Sequence, residues 1–93
     1  MAHTSHPENN AALLMRVKRI IGQMQTIERA LSEGVDCADV LHQVAGVRGA
    51  VIGLMDEIFE DHLRHHVAAP GLPDAAREKG AAELVAVIRR YAK

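Results

Sequence analysis

Residues 36–69 read DCADVLHQVAGVRGAVIGLMDEIFEDHLRHHVAA and contain no proline until Pro70 closes the run. Val40, Leu41, Val44, Val47, Val51, Leu54, Met55, Ile58 and Phe59 recur at helical spacing, and Asp36 is a good helix N-cap. The stretch therefore predicts one long helix of roughly 30 residues, about 45 Å from end to end. Gly46, Gly49 and Gly53 lie inside it, each costing about 1 kcal/mol relative to alanine. Ala45, Gly49 and Gly53 stand four apart on one stripe, a pattern that lets another helix approach closely. That helix is either an earlier one in the same chain or a second copy of this one. A 45 Å rod is more than two shorter helices can cover, which favours the second copy.

The segment upstream carries Leu13, Val17, Ile20, Met24, Ile27 and Leu31 in alternating steps of four and three. This heptad-like seam predicts a first helix from about Asn10, capped by Asn9 or Asn10 and stopped at Gly34. Residues 1–9, MAHTSHPEN, lack periodicity and read as a flexible arm. Downstream, Pro70-Gly71-Leu72-Pro73 is a turn, and Asp74 is expected to cap a third helix with Ala81, Leu84, Val87, Ile88 and Tyr91 on its seam. Gly80 weakens the first half of that helix. The expected architecture is all-α: a three-helix protomer with a long central helix, residues 10–93 forming a single domain.

Composition agrees. Phe59 and Tyr91 are the only aromatics among 93 residues that are 48% apolar, so the core must come from aliphatic side chains. A chain this short buries only about 60–65% of its unfolded surface, and oligomerisation is the usual supplement. The single Cys37 excludes an intrachain disulfide and suits a reducing compartment. No stretch has the length of a membrane span or the pattern of a secretory signal, so a cytoplasmic protein with no membrane partner is expected. With a formal charge of -1, any contact with nucleic acid must come from a local patch.

Two groups of residues carry chemistry. His62 and His66 stand four apart, on one helical face, and can ligate one metal together. His65 points about 100° away from His66 and reads as solvated. Cys37 precedes His62 by 25 residues, about 37 Å along a continuous helix, so one chain cannot bring both to one centre. An antiparallel pair of long helices removes the difficulty. The midpoint between Cys37 and His62 falls between Gly49 and Ala50, at the middle of the small-residue stripe. Thiolate with several imidazoles suits Ni(II), Co(II), Zn(II) or Cu(II). His3, His6 and the terminal amine in the arm are further donors, whereas His42 has no partner at helical spacing. Arg16, Lys18 and Arg19 form a basic cluster able to meet phosphates, and Arg48 can join it. Asp56, Glu57, Glu60 and Asp61 read as a solubilising acidic face, with hydrogen bonds to the nearby imidazoles as the alternative. Cys37 has no local base, and no phosphate loop or catalytic triad pattern occurs, so an enzyme is not expected.

The stretches RVKRIIGQ at 16–23, VRGAVIGLM at 47–55 and HLRHH at 62–66, with Cys37 opening the long helix, resemble the CsoR/RcnR/FrmR family of small bacterial repressors. The resemblance runs from the first helix to the closing residues. It implies an antiparallel dimer around the long helix, a flat tetramer made of two dimers, and a repressor that holds double-stranded operator DNA until an inducer arrives. No other protein partner is implied. It also implies a sensor site shared between chains, Cys from one and the His group from the other. Copper sensors of the family resemble a pattern with a second Cys where this chain has His66. Formaldehyde sensors carry Glu there and Pro after the initiator Met, where this chain has His66 and Ala2, although Cys37 and the terminal amine remain available for that chemistry. Nickel/cobalt sensors resemble His3, Cys37, His62 and His66 as they stand here, with His6 a possible substitute for His3. The inducer expected is therefore Ni(II) or Co(II), with Zn(II) possible and formaldehyde the alternative.

Overall fold

A computed structural model describes the backbone of residues 7–91 and side chains from Asn10 onward. Three helices follow one another: α1 (Pro7–Glu33), α2 (Cys37–His66) and α3 (Asp74–Tyr91). There is no strand among the described residues. None of these helices is long and apolar enough to cross a membrane.

α1 opens three residues before the expected Asn10. Proline is harmless as a first helical residue, because its missing N–H has no intrahelical partner there and its φ is already helical. Gly34 ends the helix with φ +72°. The Val35 N–H bonds back to the Ala30 carbonyl at 2.9 Å and the Gly34 N–H to Leu31 at 3.4 Å, the paired bonds of a Schellman stop. Asp36 is the cap residue of α2, its carbonyl accepting from the N–H groups of Asp39 and Val40. At α3 the expectation shifts by one residue. Asp74 is already helical, and the Pro73 carbonyl accepts the first bond, from the Arg77 N–H at 3.0 Å. Asp74 then sits in the first turn, where its charge suits the helix dipole.

The chain divides into two compact units, one of residues 11–56 and one of residues 57–91 with the first turn of α1, 7–10. In the first unit α1 turns Leu13, Arg16, Ile20, Gln23, Ile27 and Ala30 inward, and α2 turns Val40, Gln43, Val47, Ala50 and Leu54 inward. The seam read from sequence is thus half right. Leu13, Ile20 and Ile27 face in, whereas Val17, Met24 and Leu31 are exposed. α1 carries two neighbouring apolar stripes, and periodicity alone does not say which one meets α2. α2 repeats the arrangement, leaving Leu41, Val44 and Val51 exposed beside its inner stripe.

Burial within one chain is correspondingly slight. Ile27 and Ala30, at 6% and 5% exposure, are the buried apolar side chains among the described residues. Leu31 and Leu41 keep 65% and 64% of their surface. Burying a side chain of this size contributes about 1.5–3 kcal/mol, so the outer stripes are a large reserve that a single chain leaves unused.

In the second unit one side chain fastens the end of α2. Arg77 of α3 donates from Nη1 to the Val67 carbonyl at 2.5 Å and from Nη2 to the Ala69 carbonyl at 3.4 Å. Both acceptors lie just past the end of α2, so the guanidinium ties the turn that follows the helix to α3 and places a positive charge near the helix C-terminus, where it complements the dipole. Arg77→Ala is expected to lower stability by about 1.5–3 kcal/mol, the range for hydrogen bonds to a charged group. Thermal unfolding followed by circular dichroism measures this, and the midpoint should rise with protein concentration if copies cover the outer stripes.

Candidate metal centre

The last two turns of α2 hold three histidines in two different settings. His62 and His66 share a face, their ring centroids 5.0 Å apart and their planes tilted by 43°. The Nε2–H of His62 donates to the Gly80 carbonyl of α3 at 2.8 Å. A carbonyl can only accept, so Nε2 carries a proton, and in the neutral ring the lone pair is then on Nδ1. A backbone carbonyl holding the far nitrogen of an imidazole is how proteins orient a histidine toward a metal.

His65 does not stand in solvent as expected. Its Nδ1–H lies 2.9 Å from the Asp61 carbonyl and 3.1 Å from Asp61 Oδ1. Asp61 is only 4% exposed, so it leaves the acidic face predicted for it. Residues 61 and 65 are one turn apart, and the pairing draws both against the fold. Asp56, Glu57 and Glu60 are exposed as predicted, and Glu60 pairs with Arg64 at 2.7 Å on the surface.

Gly80 is the residue that sequence reasoning undervalued. A Cβ added there would overlap the His66 carbonyl oxygen and lie 2.8 Å from the carbonyl carbon. The backbones of α2 and α3 therefore meet at a distance that only glycine permits. The available signal was the glycine itself: an interior helical glycine with no turn nearby needs a packing reason. Arg77 was missed too, because nothing in the sequence pairs it with the end of α2. Beside the crossing, Ile58, Phe59, His62, Glu83, Leu84 and Val87 line an apolar cavity of about 240 Å³.

Two imidazoles do not make a complete centre. Among the described residues no three or more of His, Cys, Asp and Glu are placed to hold one ion. Cys37 is exposed and is the first residue of the continuous α2, 25 residues before His62. His3 and His6 lie outside the described residues. His42 is exposed on α2, in keeping with its reading.

The basic cluster divides as well. Lys18, Arg19 and Arg48 are exposed, whereas Arg16 is half-buried on the inner stripe of α1. Its Nη1 lies 3.3 Å from the point that a Cβ on Gly53 would occupy. A Cβ on Gly49 or Gly46 would meet nothing within 4 Å, so the stripe at Gly49 is open within this chain.

A sequence profile described as metal-sensitive transcriptional repressor matches residues 9–90. An uncharacterized protein of the bioA 5′ region of Serratia marcescens is 45% identical over the whole of both chains. The transcriptional repressor RcnR of Salmonella arizonae is 37% identical, again over the full length of each. Among solved structures, a glutamate-to-histidine variant of the formaldehyde-responsive regulator FrmR from Salmonella enterica serovar Typhimurium superposes with a TM-score of 0.86. It is 41% identical, and the match covers 92% of this chain and 97% of that one.

The helix crossing makes a prediction with an unusual sign. Alanine in place of a helical glycine ordinarily gains about 1 kcal/mol. Gly80→Ala is expected to lose about 1–3 kcal/mol instead, as overpacked sites do. The His62 ring should also lose its fixed tautomer. Chemical denaturation measures the first, and 15N chemical shifts of the imidazole nitrogens the second.

Proposed function

The chain belongs to the metal-sensitive transcriptional repressors, and from that premise we propose that it is a cytoplasmic repressor released from operator DNA by Ni(II) or Co(II). A homotetramer would hold the DNA through Lys18, Arg19 and Arg48, with Arg16 beside them. The inducer would be taken up between chains by Cys37 of one protomer and His62 and His66 of its partner, with His3 of the arm or His6 in its stead. Zn(II) suits the same donors.

The observation that carries this reading is the state of His62. Its Nε2–H is committed to the Gly80 carbonyl, which leaves Nδ1 as a lone-pair donor, with the His66 ring one turn away at 5.0 Å. Neutral imidazole beside thiolate is a donor set suited to late divalent transition ions. Cys37 is separated from these rings by the length of α2, and a twofold antiparallel pairing of α2 helices would unite them. The open face at Gly49 supports such a pairing.

A metal bound there would be held by Cys37 of one chain and His62 and His66 of its partner, and would supply a coordination tie between them. Everything else falls to the protein. Gly80 receives the far proton of His62, so a change in the ring's position is felt by α3. Exposed Lys18 and Arg19 meet the phosphates, and their binding weakens steeply with salt. A preference of about 3 kcal/mol for the released arrangement is enough to weaken operator binding about 100-fold.

A second reading has specific support in the exposed thiol of Cys37 and in the likeness to a formaldehyde-responsive regulator. Formaldehyde would join the Cys37 thiol and the terminal amine through a methylene, its oxygen leaving as water with one proton from the thiol and one from the amine. The test is fluorescence anisotropy of the reduced protein on the DNA upstream of its own gene, with Ni(II), Co(II), Zn(II) and formaldehyde added separately. Release by nickel or cobalt, lost in both Cys37→Ala and His66→Ala, is the expected result. Release by formaldehyde alone, unchanged in His66→Ala, would establish the alternative.

A further inference from the structure

Arg16 occupies a position that its neighbours do not share. Leu13, Arg16, Ile20, Gln23, Ile27 and Ala30 form the inner stripe of α1, and Arg16 is the cation on it. Lys18 and Arg19, one turn of helix or less away, are exposed. The guanidinium of Arg16 reaches α2 at Gly53, where its Nη1 stands 3.3 Å from the place of a missing Cβ. It also has an interaction partner, so it is not a loose surface charge. Gly46 and Gly49 meet nothing within 4 Å, which leaves Gly53 as the glycine of α2 whose lack of a side chain is used within the chain.

We infer that Gly53 is a positioning residue that parks the Arg16 guanidinium in the α1–α2 seam of the DNA-free protein, withholding one cation per protomer from the phosphate-binding patch. The inference rests on the operator-binding reading and deepens it. A guanidinium carries a long apolar stem, so Arg16 can lie along the seam and keep its head at the edge. Rotating the side chain outward adds a phosphate partner beside Lys18 and Arg19, and leaving it parked removes one. Occupancy of the niche thus sets how many counterions operator binding releases. An ordinary side chain at residue 53 would crowd the head by a few tenths of an ångström and shift it toward the outward arrangement.

Gly53→Ala is the natural probe, since alanine is the better helix former and the variant should fold. Two readouts separate this proposal from the one beneath it. The first needs no DNA: modification of Arg16 by phenylglyoxal, followed by peptide mass spectrometry, should be about threefold faster in Gly53→Ala than in the parent, with Arg19 and Arg48 unchanged. The second is operator affinity against salt. Gly53→Ala should bind about threefold more tightly, and the slope of log K against log salt should steepen by about 0.9 for each additional phosphate neutralised. In an Arg16→Ala background the same substitution should leave operator affinity and its salt slope unchanged. An equal effect with Arg16 absent, an unchanged or slower modification rate, or a shift in oligomeric state by sedimentation that accounts for the tighter binding would overturn the assignment. If the parent protein shows no salt-sensitive operator binding, the operator reading fails and this inference falls with it, whatever the modification rates show.

Discussion

The backbones of α2 and α3 touch where Gly80 passes over the carbonyl of His66, and the chemistry at that end of the molecule depends on the contact. A helix can approach another this closely only where a side chain is missing. The approach brings the Gly80 carbonyl within 2.8 Å of His62 Nε2, which orients the ring and, in its neutral form, leaves the lone pair on Nδ1. Arg77 of the same helix bonds the Val67 carbonyl, just past the end of α2. One glycine therefore fixes the docking of α3 and the orientation of a candidate ligand.

The second constraint is a shortage of interior. α1 and α2 each present two adjacent apolar stripes, and one chain covers one stripe on each. A family of oligomeric repressors is the natural home for such a protomer, since a further copy can cover the second stripe. The same economy explains why the candidate centre is incomplete in one chain. The thiol and the imidazoles stand at opposite ends of a continuous helix, and a helix cannot fold back on itself. In the proposed arrangement sensing and assembly become one problem: the pairing that buries the outer stripes is the pairing that brings Cys37 to His62.

Polar residues on inner stripes add a further theme. Arg16, Gln23 and Gln43 interrupt aliphatic seams, and the amide oxygens of both glutamines are buried without a hydrogen-bond partner. Together with Thr26 and Gly46, the two glutamines line a cavity of about 220 Å³ between α1 and α2. A seam built in this way holds less tightly than an all-aliphatic one, because each buried polar group must recover its lost hydration elsewhere.

Local chemistry was readable from the sequence, because it is written in neighbouring residues. Gly34 had to end α1, Asp36 had to cap α2, Pro70 to Pro73 had to turn the chain, and His62 with His66 had to share a face. The pairing of the Cys–His midpoint with the small-residue stripe was likewise a matter of counting along one helix. What lay beyond counting was which stripe of a doubly apolar helix turns inward, because two stripes one residue apart have the same period. Thus Val17, Met24 and Leu31 read as core and are exposed, while Arg16 read as surface and is half-buried. Contacts between helices distant in sequence were equally hidden: Gly80 against His66, Arg77 on Val67, and Gly53 beneath Arg16. Hydrophobic periodicity specifies that a helix has a face. Only the closest approach of two backbones decides what that face meets, and that depends on the volume of every side chain between them.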